Sequence, residues 1–159
     1  QIRFMSQLLT SSDGLPAPNG CHSPLIFLHC PSNRAIKGTE HIIRAAEELQ
    51  AEGYELSLII LEGMPHECVL EAMSRADVVI DQLLIGWYGM VSIEAWALGK
   101  PVICYIRPDL PNAPACPADP GTIKDAMREM LKYPDTREMW GRKGYDYVRK
   151  THDVRNFTF

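Results

Sequence analysis

The sequence has no surplus of positive charge: sixteen Lys and Arg stand against twenty Asp and Glu, a formal net charge of −4. The basic footprint of a duplex nucleic-acid binder is therefore absent. No apolar run approaches the roughly eighteen residues that a membrane span needs, and the N-terminus lacks a signal peptide's long apolar stretch. The five cysteines (Cys21, Cys30, Cys68, Cys104, Cys116) form no CxxC pair and none sits at metal-ligand spacing with a histidine, which argues against a zinc site. Cys30 and Cys104 lie inside apolar runs. The set reads as reduced thiols packed as small hydrophobes in an intracellular protein. Also missing are GxGxxG, GxxxxGK[ST] and GxSxG, so a nicotinamide-dependent oxidoreductase, P-loop chemistry and a hydrolase nucleophile elbow all lose ground.

What is present is one domain's worth of chain: 159 residues, 46% of them hydrophobic, enough for a core without disulfide or metal support. Residues 1–24 are poorly patterned, with Ile2 to Leu9 reading as a short amphipathic piece and Ser11 to Gly20 as a linker. From Leu25 onward a regular alternation begins. Leu25–Leu28, Val78–Ile80 and Val102–Ile106 are continuous apolar runs and Leu56–Leu61 is interrupted only by Ser57, the signature of strands buried on both faces. Between them helical spacing predicts helices over Thr39–Glu52, from Pro65, and over Met90–Leu98, with two more at Thr122–Lys132 and Thr136–Arg149. Strands alternating with helices predict a three-layer, Rossmann-like α/β domain with a parallel sheet and right-handed crossovers, over residues 25–159. Pro108, Pro111, Pro114, Pro117 and Pro120 recur every third residue. The run reads better as a rigid connection, with a short edge strand near Ala115–Ala118, than as a polyproline ligand for another protein.

Open parallel sheets bind ligands beyond the carboxyl ends of their strands. Four loops lie there: Cys30–Gly38, Glu62–His66, Gln82–Val91 and Arg107–Gly121. The first carries Arg34 and Lys37 ahead of Gly38. The third carries Gly86 and Gly89 directly before a helix, with Glu94 about one turn inside it. Cations facing the N–H groups of a helix start suit a diphosphate. A solvated helix end and an ordinary glycine turn would read the same way. His29, His66 and Asp81, at or after strand ends, fit either a structural or a ligand-facing place.

Taken together, HCPSNRAIKGTEHIIRAAEEL, LIILEGMPHECVL and ADVVIDQLLIGWYGMVSIEAWALGKPVICYI resemble the C-terminal, donor-binding half of a GT-B glycosyltransferase of retaining family 4. The resemblance runs from Leu25 to Asp153. Its most specific part is Gly89 to Ile103, similar to the family's G-x(4)-EAMAxGxPVI. Lys37-Gly38 is the second match, and Thr151-His152-Asp153 a weaker third. The resemblance implies that a nucleotide diphosphosugar, UDP- or GDP-type, binds here as substrate, with no cofactor and no required metal. A hexose-like unit would pass to an acceptor, a saccharide or a lipid-linked group, held by a separate N-terminal domain.

By the same resemblance Glu94 accepts from the ribose hydroxyls, while Gly89, Met90 and Val91 offer N–H groups to the distal phosphate. Lys37, with Arg34 beside it, neutralises the diphosphate, and Pro65 and His66 frame the base. Two positions depart from the family. Gly86 stands where the first acid of its Glu, seven residues, Glu motif reads the donor sugar, and Ser32 stands where its arginine lies five residues before the lysine. The expectation is a donor-binding half that is inactive alone, cytoplasmic, and in contact with the inner membrane face only through the missing half. The alternative is a non-enzymatic Rossmann-like nucleotide-binding or interaction module.

Overall fold

The computed structural model describes residues 2–5 and 24–152. Six strands form one sheet: β1 (Ile2–Met5), β2 (Leu25–His29), β3 (Leu56–Leu61), β4 (Val78–Ile80), β5 (Val102–Cys104) and β6 (Cys116–Pro117). Their order is β1-β3-β2-β4-β5-β6 and every pairing is parallel. Helices α1 (Arg34–Lys37), α2 (Thr39–Ala51), α3 (His66–Arg75), α4 (Met90–Ala97), α5 (Ile123–Lys132) and α6 (Pro134–Thr151) complete the order. No helix among the described residues is long and apolar enough to cross a membrane.

The apolar runs are continuous because side chains alternate between two covered faces. Phe27, Leu58, Ile60, Val78 and Ile80 pack with Ile42 and Leu49 of α2 and Met127 and Met130 of α5. Leu28, Ile59, Val79 and Val102 pack on the other side with Met73 of α3, Trp96 of α4 and Val148 of α6. The expected three-layer α/β architecture is therefore present. Burial pushes the Cys30, Cys104 and Cys116 thiols up to about 12, which leaves them as packing groups rather than nucleophiles.

Two segments differ from the sequence reading. Ile2–Met5, read as part of a short amphipathic piece in a poorly patterned stretch, is an edge strand whose backbone runs in register with Leu58–Leu61. It covers the open side of β3, whose N–H and C=O groups would otherwise face outward unpaired. Residues 6–23, with the Ser11–Gly20 linker and Cys21, lie outside the described residues. In addition, Arg34–Lys37, read as loop, forms one helical turn capped by Asn33, whose Oδ1 accepts the Ile36 N–H at 3.1 Å. Gly38 ends that turn at φ 78°, a left-handed conformation that favours glycine.

Helix α6 crosses α4 closely because two glycines face it. Gly141 lies against the Gly99 carbonyl, and Gly144 lies on the fully buried Trp96 ring. A Cβ at position 144 would sit 2.6 Å from Trp96 Cγ and 2.8 Å from its Nε1. Alanine gains about 1 kcal/mol of helix propensity over glycine, but such overpacking costs about 1–3 kcal/mol or more. Gly144→Ala is expected to destabilise the fold by about 2 kcal/mol on balance, as read by urea unfolding. An unchanged or raised midpoint would contradict this packing.

Candidate functional site

The chain passes from β2 to β3 on one side and then returns to β4 on the other side of β2. Loops leaving β2 and β4 therefore diverge, opening a crevice at the carboxyl edge of the sheet. The β2 loop contains α1 and delivers Lys37. The β4 loop begins at Asp81 and ends at Gly89, the residue that opens α4.

Asp81 is the centre of this crevice. Its carboxylate is fully enclosed, and Lys37 Nζ donates to its Oδ1 at 3.1 Å. The Gly89 N–H donates to Oδ2 at 2.7 Å and the Ser92 hydroxyl to the same oxygen at 2.6 Å. One buried carboxylate thus joins the end of α1, the end of β4 and the start of α4. Sequence reasoning placed Asp81 at a strand end without a role. The signal was an acid closing an apolar strand, which alone does not name its partners.

Helix α4 starts without a side-chain cap, and its Ser92 and Ile93 N–H groups already bond the Gly89 carbonyl. The Met90 and Val91 N–H groups find no acceptor among the described residues. They carry the helix's positive dipole end, with Lys37 alongside. Glu94, one turn in, has a mostly covered side chain and meets His66 Nε2 at 3.1 Å. His66 opens α3, directly after Pro65. The residues expected to meet ribose and to frame the base are thus neighbours, although 28 positions apart in sequence.

Arg34 is placed differently from the expectation. Its Nε and one terminal nitrogen donate to Glu62 Oε1 and Oε2 at 2.7 and 2.8 Å, a bidentate pair. The guanidinium holds the Glu62 carboxyl below the usual carboxylate range, and the shared hydrogen bonds raise the Arg34 group in turn. Both cations nominated for a diphosphate are therefore already matched to carboxylates.

The β4 loop is shaped by Gln82, which is fully buried. Its amide donates to the carbonyls of Trp87 and Tyr105 at 2.9 and 2.7 Å, and its oxygen accepts the Ile85 N–H at 2.6 Å. At Gly86 the backbone is left-handed, φ 93°, and the aliphatic stem of Arg107 occupies the space a side chain would need. The Arg107 N–H bonds the Gly86 carbonyl at 2.9 Å. No carboxylate stands at this point. The loop's far end is anchored to the tail of α6, where Tyr88 Oη meets Tyr147 Oη at 2.8 Å and His152 Nε2 at 3.0 Å. That contact accounts structurally for His152; Asp153 lies outside the described residues. A separate cavity of about 640 Å³ lies between the proline-rich loop and α6, lined by Arg107, Trp140, Lys143 and Tyr147 and by none of the residues nominated for the donor, Gly86 included.

No protein-family model and no curated protein matches the sequence. Solved structures do match. The C-terminal domain of a glycosyl transferase group 1 family protein from Francisella tularensis superposes with TM-score 0.60 at 16% identity, covering 81% of this chain and 86% of that one. Sucrose-phosphate synthase from Thermosynechococcus elongatus superposes with TM-score 0.59 at 20% identity, covering 83% of this chain and 42% of that one. Both likenesses concern architecture, and together with the parallel sheet and its crevice they establish the fold as that of a Rossmann-like GT-B C-terminal domain.

Proposed function

We propose that the chain is the donor-binding half of a retaining glycosyltransferase, which receives a nucleoside diphosphosugar and completes transfer only with an acceptor-binding domain. The observation that carries this reading is the convergence of three groups from two segments on one crevice. Two of them, the open Met90 and Val91 N–H groups and the Glu94 carboxylate, share α4, and the third, the Lys37 ammonium, comes from the end of α1. A diphosphate develops negative charge as the sugar departs, and fixed dipoles aimed at that charge lower the barrier without a protein nucleophile. Glu94 offers two oxygens to the paired hydroxyls of a ribose, while the His66–Pro65 corner borders the base.

Likeness in fold to the Francisella tularensis domain supports the reading. So do four exposed apolar side chains at the same sheet edge, Ile36, Leu84, Ile85 and Met90, which suit a face covered by a second domain. The acceptor, a saccharide or a lipid-linked group, would be held by that second domain.

Glu94→Ala tests the site. Charge-assisted hydrogen bonds contribute about 1.5–3 kcal/mol each before losses to solvent, so one lost pair should weaken binding about tenfold or more. Calorimetric titration with UDP, GDP and ADP, and with the matching nucleosides, should show that loss for diphosphate and nucleoside alike. The unmodified chain should transfer no sugar by itself. Affinities within twofold of the parent, with the fold intact, would place ribose recognition elsewhere.

A further inference from the structure

Within that donor-site reading, we infer that Asp81 is a resident anion that limits how tightly the crevice holds phosphate, leaving recognition to backbone N–H groups and to the ribose and base. Its place supports this. A carboxylate beside a helix N-terminus and a lysine occupies surroundings that favour an anion, and Asp81 has both, α4 and Lys37, within hydrogen-bond reach of its two oxygens. Arg34, the other nominated cation, is bound to Glu62. An incoming diphosphate therefore meets cations whose charge is already balanced.

Asp81 has two opposed effects on such a ligand. It orients Lys37, which favours binding, and it cancels Lys37's charge, which opposes binding. Orientation concerns one donor of an ammonium that carries three, and the Lys37 side chain keeps 14% of its surface open to solvent. Cancellation acts on the whole unit charge, in a setting where Asp81 itself is shielded from water and from salt. Cancellation therefore outweighs orientation, and the residue acts as an attenuator that lets a diphosphate product leave.

Asp81→Asn separates the two. The amide oxygen can still accept from Gly89 and Ser92, while its NH₂ turns a donor toward Lys37 and releases the ammonium to the ligand. The variant is expected to bind the nucleoside diphosphate and inorganic pyrophosphate about fivefold tighter or more at low salt, with nucleoside affinity unchanged and the gain shrinking as NaCl is raised. A merely structural role would weaken all three ligands together. Because the variant removes a buried charge, the parent chain supplies a second measurement. Its affinity for the diphosphate should fall only about twofold to threefold between about 0.05 and about 0.5 M NaCl, since no net cation is engaged. If the parent binds the diphosphate but the folded variant binds it no tighter, or if parent affinity falls steeply with salt, the inference is wrong and the donor-site reading stands. If neither chain binds any nucleoside diphosphate, both are wrong.

Discussion

Lys37→Ala is expected to cost about 3 kcal/mol of folding stability, a larger effect than any it has on ligand affinity. The family resemblance alone casts Lys37 as a ligand-facing cation whose loss the fold would ignore. The structure makes it the counter-charge of a carboxylate with no exposed side-chain surface. Removing one partner of a buried pair leaves the other charge uncompensated, which costs about 3–5 kcal/mol. The Gly89 N–H and Ser92 hydroxyl remain on Asp81 and hold the effect at the lower end. Urea unfolding measures it. Adding Asp81→Asn to Lys37→Ala should restore part of the loss, because the orphaned charge disappears. That non-additivity is the signature of a direct pair. A loss below about 1 kcal/mol for Lys37→Ala would mean that the pair is solvated, as surface pairs are.

Lowering the pH from 6.5 to 4.5 is expected to remove about 2 kcal/mol of stability through His29 alone. Its ring is fully buried at the end of β2, where burial pulls the group down to about 4 from 6.5. The Ile80 carbonyl and the charges of Asp81 and Glu62 act against that shift, and the Lys37 charge adds to it. One ring nitrogen, Nδ1, lies 2.8 Å from the Ile80 carbonyl, which only accepts, so Nδ1 carries the proton. Nε2 then accepts from the Thr39 hydroxyl, also at 2.8 Å. Between the two values the unfolded chain binds a proton that the native ring refuses. Stability from this group is therefore complete above pH 6.5 and is lost as pH falls toward 4. Glu62 and Glu52, whose carboxyls are held low by Arg34 and by Lys124 and Arg128, lose their contributions only below the ordinary carboxylate range. The interval above pH 4.5 thus isolates the histidine. Unfolding free energies at pH 5 and pH 7 should differ by about 2 kcal/mol, and His29→Gln should flatten that dependence. A parent profile already flat over the interval would show that His29 protonates freely in the native state.

Local pattern was enough for β2 to β6 and for α2 to α6, though not for β1 or α1. Leu25–Leu28 and Leu56–Leu61 read as doubly covered strands because, Ser57 apart, apolar residues fall on both faces of each short run. Gly53 and Gly99 end α2 and α4 in left-handed conformations, as glycines after a helical run should. The candidate loops were legible too, because carboxyl ends of parallel strands are named by the strands. Partner choice was not legible. Lys37 and Asp81 are 44 residues apart, Arg34 and Glu62 are 28 apart, and each could have faced solvent or ligand on sequence grounds.

Strand order decided these pairings. Placing β4 beside β2, rather than beside β3, sets His29 opposite Ile80 and so brings the two loops to a common crevice. The edge strand Ile2–Met5 shows the same division, since only the open side of β3 gives that segment a reason to extend. Propensity and periodicity act over a few residues and determined most of the helices and strands, and with them the carboxyl edge of the sheet. Charge pairing depends on distances that exist only after the sheet is assembled. The tertiary structure therefore decided which cations are already balanced and which helix N–H groups remain open.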